Sequence, residues 1–221
     1  MKKIILGAAL LASIWISTGN GNVAHANEEY GEADTGLIVS THDLSEVDDL
    51  LSNDKVEEVV YLDPNLLEND YVPDNNVEIS PMAFITKYRV RNVKAISDKT
   101  DSGAIATVSG GPGLQLSISQ TKSVSTSLSG TFGASKGAIS AEVGWNVTGS
   151  TSISISGSYK VPSTVNGKKV KSCKLNAHVV RKRKSFVVDK MAWNSTKWET
   201  QGTGYVSKAY GISFKKVFTY K

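Results

Sequence analysis

LQLSISQTKSVSTSLSGTF, residues 114–132, and ISAEVGWNVTGSTSISISGSYKV, residues 139–161, are the stretches that decide the fold class. In the first, even positions carry Leu114, Leu116, Ile118, Val124, Leu128 and Phe132, and the odd positions are nearly all Ser or Thr. In the second, Ile139, Val143, Trp145, Val147, Ile153, Ile155, Tyr159 and Val161 occupy odd positions. Alternation of this kind marks strands with one buried face. The phase changes across Gly133-Ala134-Ser135-Lys136-Gly137, so the two stretches read as the arms of one very long β-hairpin over residues 113–161. A turn at Ala134 to Gly137 pairs positions whose numbers sum to 271 (134 + 137), setting Phe132 opposite Ile139, Leu128 opposite Val143 and Val124 opposite Val147. A slip of one residue would turn one arm's apolar set to the Ser/Thr face.

Strands are also predicted on either side. Phe84 to Ile96 and Ala104 to Val108 precede the hairpin, with Ser109-Gly110-Gly111-Pro112-Gly113 as a turn. Asn166-Gly167 is a type I′ signal that should join the second arm to a strand from Val170 to Val180. Ser185 to Trp193 and Tyr205 to Tyr220 follow. With no crossover helices between strands, the expected fold is mainly β: an antiparallel sandwich or an elongated sheet carrying the long hairpin.

The chain begins with Lys2 and Lys3, an apolar run from Ile4 to Ile16 and the small-x-small site Ala24-His25-Ala26. Residues 1–26 therefore read as a bacterial secretory signal peptide cut after Ala26, and the protein is expected to be secreted. Charge then divides the chain: residues 27–80 hold 16 Asp and Glu against the single Lys55, and residues 81–221 hold 22 Lys and Arg against five acids. The acidic leader, 27–80, has helical spacing at Leu44, Val47 and Leu51 and again around Val56, Val59 and Val60. It is expected to be partly helical or disordered, preceding a basic all-β domain over residues 81–221. Opposite charge suggests a pro-segment lying on that domain. Cys173 alternates with Leu175, Ala177 and Val179 and reads as a buried apolar residue.

Catalysis finds little support. Past residue 26 only His42 and His178 remain, neither in a nucleophile-elbow, zinc or metalloprotease spacing, and no catalytic, cofactor or metal residue is assigned. The positive signal is Lys168, Lys169, Lys171, Lys174, Arg181, Lys182, Arg183 and Lys184, with no Asp or Glu between Glu142 and Asp189. Such density attracts an anionic lipid or cell-wall polymer surface. Nucleic acid is a poor fit for an exported chain. A solvated strand edge protected by lysines is the alternative.

An unbroken strand of 19 residues, 114–132, would reach about 60 Å, far beyond the usual length. A Ser/Thr face backed by an aliphatic face over that length resembles the membrane-inserting hairpin of aerolysin-like β-pore-forming toxins. The resemblance covers Leu114 to Val161 and implies that hairpins from several copies close a barrel, Ser/Thr lining water. Val124, Leu128, Phe132, Ile139, Val143, Trp145 and Val147 are then the candidate membrane-facing set. Against insertion, Gln120 and Lys122 share that face, and glycines at 130, 144, 149 and 157 could bend each arm into an ordinary sandwich. The function expected is action on an anionic membrane or envelope surface, by pore formation or as a non-inserting extracellular or wall-associated binding protein.

Overall fold

The computed structural model describes residues 36–68 and 86–221. The expected signal peptide and its cleavage site lie outside them, as do Phe84 and the break at Val72-Pro73. In chain order the elements are β1 (Leu37–Thr41), α1 (Val47–Ser52), β2 (Val56–Leu62), β3 (Lys87–Gly110), β4 (Gln115–Ser125), β5 (Ser127–Ser129), α2 (Lys136–Val143), β6 (Ser150–Lys160), β7 (Thr164–Val165), β8 (Lys168–Met191) and β9 (Glu199–Tyr220). The fold is mainly β, and its longest strands are β3, β8 and β9.

These three form the backbone of a sheet ordered β1-β2-β9-β8-β3, antiparallel except for the β1–β2 pair. β8 and β9 pair from Val170↔Tyr220 to Lys190↔Glu199, so the longest hairpin belongs to the C-terminal part of the chain. β4 and β6 make a separate two-stranded sheet over it. β8 continues to alternate past the bulge at Val180/Arg181, where the extra residue, Tyr210, sits on β9. Its odd residues Cys173, Leu175, Ala177 and Val179 therefore face one core, and its even residues Phe186 and Val188 face a second core on the opposite side. The first core is closed by Leu116, Ile118, Ile153, Ile155 and Tyr159 of the small sheet and by Val47 and Leu51 of α1. The second is closed by α2 and the segment behind it, through Ile139, Val143, Trp145 and Val147. The chain passes from one side to the other at the sheet edge, where β5 adds to β9 with Leu128 opposite Val206.

Two expectations are corrected here. The β4–β6 ladder runs Leu116↔Tyr159, Ile118↔Gly157 and Val124↔Thr151, numbers summing to 275 (124 + 151) where a sum of 271 was expected. A shift of four keeps every side chain on its expected face, so the apolar pattern could not tell the two registers apart. The interior of the expected hairpin is also not a ladder: residues 127–129 join β9, and the turn and the start of the second arm form α2. Ser135 caps that helix by accepting the Ala138 N–H at 3.1 Å, and Gly144 ends it at φ +76°. Ile139 and Val143 are four apart, a spacing that fits one face of a strand and one face of a helix equally well.

The acidic segment is helical only in part. Leu44–Glu46 and α1 form as expected, whereas Val56–Leu62 is strand β2. Its β-branched valines fill the open edge of β9, Val59 opposite Phe214. Val47, Leu51, Val56 and Val59 are all buried in the first core, and Asp48 accepts the backbone N–H and hydroxyl of Ser158, both at 2.7 Å.

Candidate functional site

The basic run of β8 divides in two. Lys168, Lys169, Lys171 and Lys174 are exposed, and none forms an ion pair among the described residues. Exposed Lys160, at the end of β6, and Lys221, whose N–H donates to Lys169 O at 3.0 Å, complete a lysine end. Leu114, Val217 and Tyr220 are exposed there too, and Lys168 Nζ lies 5.7 Å from the Tyr220 ring centre.

The other four cations are engaged by the fold. Arg181 pairs with Asp101 at 2.9 Å and donates to Ser125 O at 3.0 Å, holding the end of β4. Lys182 pairs with Asp98 at 3.1 Å and stands over Tyr210, whose hydroxyl also donates to Asp98. Arg183 stacks on Tyr205. Lys184 donates to Val143 O at 2.8 Å, capping the end of α2, and sits 4.1 Å from the Trp145 ring centre. Burial, with Lys208 nearby, pulls its pKa below the ordinary lysine value.

The candidate membrane-facing residues are not gathered on one strand pair. Val124 is in the first core; Ile139, Val143, Trp145 and Val147 are in the second, with Leu128 half-buried at its edge. Phe132 alone is exposed, its ring lying where a Cβ on Gly202 would come within 2.4 Å. The Trp145 indole N–H donates to Leu67 O at 3.3 Å, and Ser140 Oγ accepts the Val147 N–H at 3.2 Å, so this segment is tied to itself and to the body. Outside, the β4–β6 sheet presents five facing hydroxyl pairs, from Ser117↔Ser158 through Ser119↔Ser156, Thr121↔Ser154 and Ser123↔Ser152 to Ser125↔Ser150.

Two charged positions stand out that the charge pattern did not single out. Lys216 is buried in phase with Phe214 and Phe218; its ammonium donates to Leu51 O at 2.8 Å and Asn53 O at 3.0 Å, closing the C-terminal end of α1. Burial pushes its pKa down to about 8 despite Asp54 nearby. Asp189 is buried beneath Arg89 at 2.8 Å and Arg91 at 2.6 Å, and hydrogen bonds from Arg91 first, then from Arg89 and Thr200, hold its carboxyl well below the usual range. A lysine in an apolar phase and a lone acid in a basic strand were the available signals. Cys173 lies in the first core, where burial pushes its thiol up to about 11, that of an unreactive group. Compared with protein-family models, curated proteins and solved structures, the chain matches none.

Proposed function

We propose that this is a secreted, non-catalytic protein that acts on an anionic membrane by extending the β4–β6 pair into a longer hairpin. The observation that carries this reading is the ladder itself: eleven consecutive pairs without a bulge, one face all hydroxyl between Ser117 and Ser125. The Thr126 N–H already donates to Gly149 O at 2.9 Å, one step beyond the ladder in the same register. Continued further, that register sets Leu128 opposite Val147, Phe132 opposite Val143 and Ala134 opposite Ala141, and closes at Gly137-Ala138. Gly first in a two-residue turn suits type II′. Residues 126–149 are thus a stored length of hairpin whose apolar side, Phe132 excepted, is kept from water by the second core. About nine to eleven residues per strand span a bilayer, and the stored segment supplies that length on each arm.

The test is a lock. Leu128 and Val206 face each other across β5 and β9, so L128C/V206C with C173S should form a disulfide that holds the segment in place. Dye release from anionic vesicles should be blocked in the oxidised protein and restored by reduction. Equal release by the locked protein would overturn the mechanism.

A second reading rests on the lysine end, whose lysines form no ion pair among the described residues. There Lys168, Lys169, Lys171 and Lys174 hold an anionic wall polymer, with no insertion. Their replacement by Gln should flatten the salt dependence of binding to such a polymer.

A further inference from the structure

We propose that Phe132 is the catch that holds the stored hairpin segment closed: its ring is seated in a gap left by two glycines of β9, and the seat offsets a strained left-handed backbone. The inference rests on the membrane reading above and adds the residue that keeps its segment folded away. The Ala134 N–H donates to Thr131 O at 2.9 Å across Phe132 and Gly133, whose φ values are +48° and +89°. Both central residues of this turn are left-handed, as in type I′, where the first place favours Asn, Asp or Gly. A phenylalanine there crowds its Cβ against its own backbone. Within residues 126–149 Phe132 is the only residue with a Cβ at positive φ; the other left-handed positions are Gly130, Gly133 and Gly144.

The seat follows from register. β5 pairs with β9 at Leu128↔Val206 and Ser129↔Tyr205, numbers summing to 334 (128 + 206). Carried onward, that register brings Gly130 beside Gly204 and Phe132 beside Gly202. The contacts agree: a Cβ on Gly202 would fall on the Phe132 ring, and one on Gly130 would meet Gly204 Cα at 3.0 Å and the same ring at 2.8 Å. Gly202 and Gly204 pair with Val188 and Phe186, two residues of the second core. Two side chains missing from that row of β9 leave a trough, and the stretch from Gly130 to Phe132 fills it.

Two opposed terms therefore meet on one residue. Seating the ring removes apolar surface from water and holds the chain at buried Ala134, next to Ser135, the cap of α2. In the extended register Phe132 faces Val143 on an extended backbone, so its left-handed crowding is relieved, and the three glycines change conformation with no Cβ penalty. Of the seven candidate membrane-facing residues Phe132 is the exposed one, at 42%, and it is the one that lipid can draw from its seat. A ring withdrawn in this way leaves the turn with its strain and without the contact that offset it.

Amide hydrogen exchange at residues 139–144, where Ile139 and Gly144 donate to Ser135 O and Ser140 O, reports opening with no membrane present. F132A removes the ring but keeps a Cβ on the left-handed backbone, and should speed this exchange about tenfold. F132G removes both, and should exchange about threefold more slowly than F132A. G202A puts a methyl where the ring lies and should match F132A, whereas F132A/G202A should be no faster than F132A, since no ring remains to displace. Exchange at Ile212 and Phe214, in the first core, should keep its wild-type rate, which separates local opening from a weakened fold. Unchanged exchange at 139–144 in F132A and G202A, equal acceleration at all sites, or equal rates for F132A and F132G would each overturn the proposal. G202A, which keeps the phenyl ring for the bilayer, should also release dye faster than wild type from phosphatidylcholine vesicles containing phosphatidylglycerol. The expected exchange pattern with no dye release from any of the proteins would support the catch and count against the hairpin mechanism. The same pattern with G202A releasing dye no faster than wild type would overturn the catch's part in insertion and leave the hairpin mechanism standing.

Discussion

Lys216 shows how much one residue can tie together. Its ammonium closes α1, its chain lies on the Tyr159 ring with Nζ 4.6 Å from the ring centre, and it is nearly inaccessible to water. Because the folded-state pKa is depressed to about 8, the folded protein holds fewer protons than the unfolded chain between that value and the ordinary lysine range. The contribution of this group to stability therefore rises as pH rises through that window, by on the order of 2 kcal/mol. Cys173 and Tyr159, both held protonated by burial, oppose it at alkaline pH, so the comparison is C173S against C173S/K216M. Denaturant midpoints should diverge above pH 8, and parallel curves would remove Lys216 as the source. Asp189 has the opposite sign: its lowered pKa contributes stability above the ordinary carboxylate range that is lost as pH falls. D189N should make acid unfolding less steep. The Tyr159 hydroxyl is buried with no hydrogen-bond partner among the described residues, so Y159F should be neutral or stabilising by up to about 1 kcal/mol in thermal melts.

Among the elements, the β4–β6 pair and α2 carry the clearest tests. Cysteines at 124 and 151, with C173S, should crosslink readily in the folded protein because Val124 faces Thr151; cysteines at 124 and 147 should not. Rapid crosslinking of the second pair would restore the register summing to 271. Helix α2 depends on its cap, and S135A should cost about 1 kcal/mol of stability. If α2 must open for the hairpin to extend, the same substitution should speed dye release. Slower release would separate helix stability from function. The facing of β4 and β6 was legible from period two alone, since Leu116, Ile118, Ile153 and Ile155 are all buried as the alternation requires. Helix α2 was hidden because Ile139 and Val143 satisfy both periods, and β2 because Val56 and Val59 are spaced by three.

For the whole molecule, the charge division does not separate the packing. The acidic stretch supplies β1, α1 and β2 to the same sheet and core as the basic strands. Its acids reach Ser158 through Asp48, Ser213 through Glu58 and Lys215 through Glu57, at 3.9 Å for the last; no ion pair among the described residues links them to Lys168, Lys169, Lys171 or Lys174. A chain of residues 81–221 would uncover Ile212 and Phe214 along β9 and leave Lys216 without the Leu51 and Asn53 carbonyls. It should lose cooperative thermal unfolding, read by near-ultraviolet circular dichroism, whereas the chain from residue 27 should retain it. A cooperative transition in the shorter chain at the same midpoint would show that β1, α1 and β2 are dispensable for folding.

Alternation along residues 114–161 was enough to determine a mainly β protein and the inward faces of β4 and β6, because a strand's side-chain period is local and survives any choice of partner. Alternation also placed Cys173 and the in-phase Leu175, Ala177 and Val179 inside. Partnering was decided only by tertiary structure. Registers four apart bury the same side chains; a spacing of four fits helix or strand until Phe186 and Val188 offer a surface to cover; and a run of eight cations reads as one patch until Asp98, Asp101 and the carbonyl of Val143 take three of them. Those contacts join positions far apart in sequence, so no local pattern could specify them.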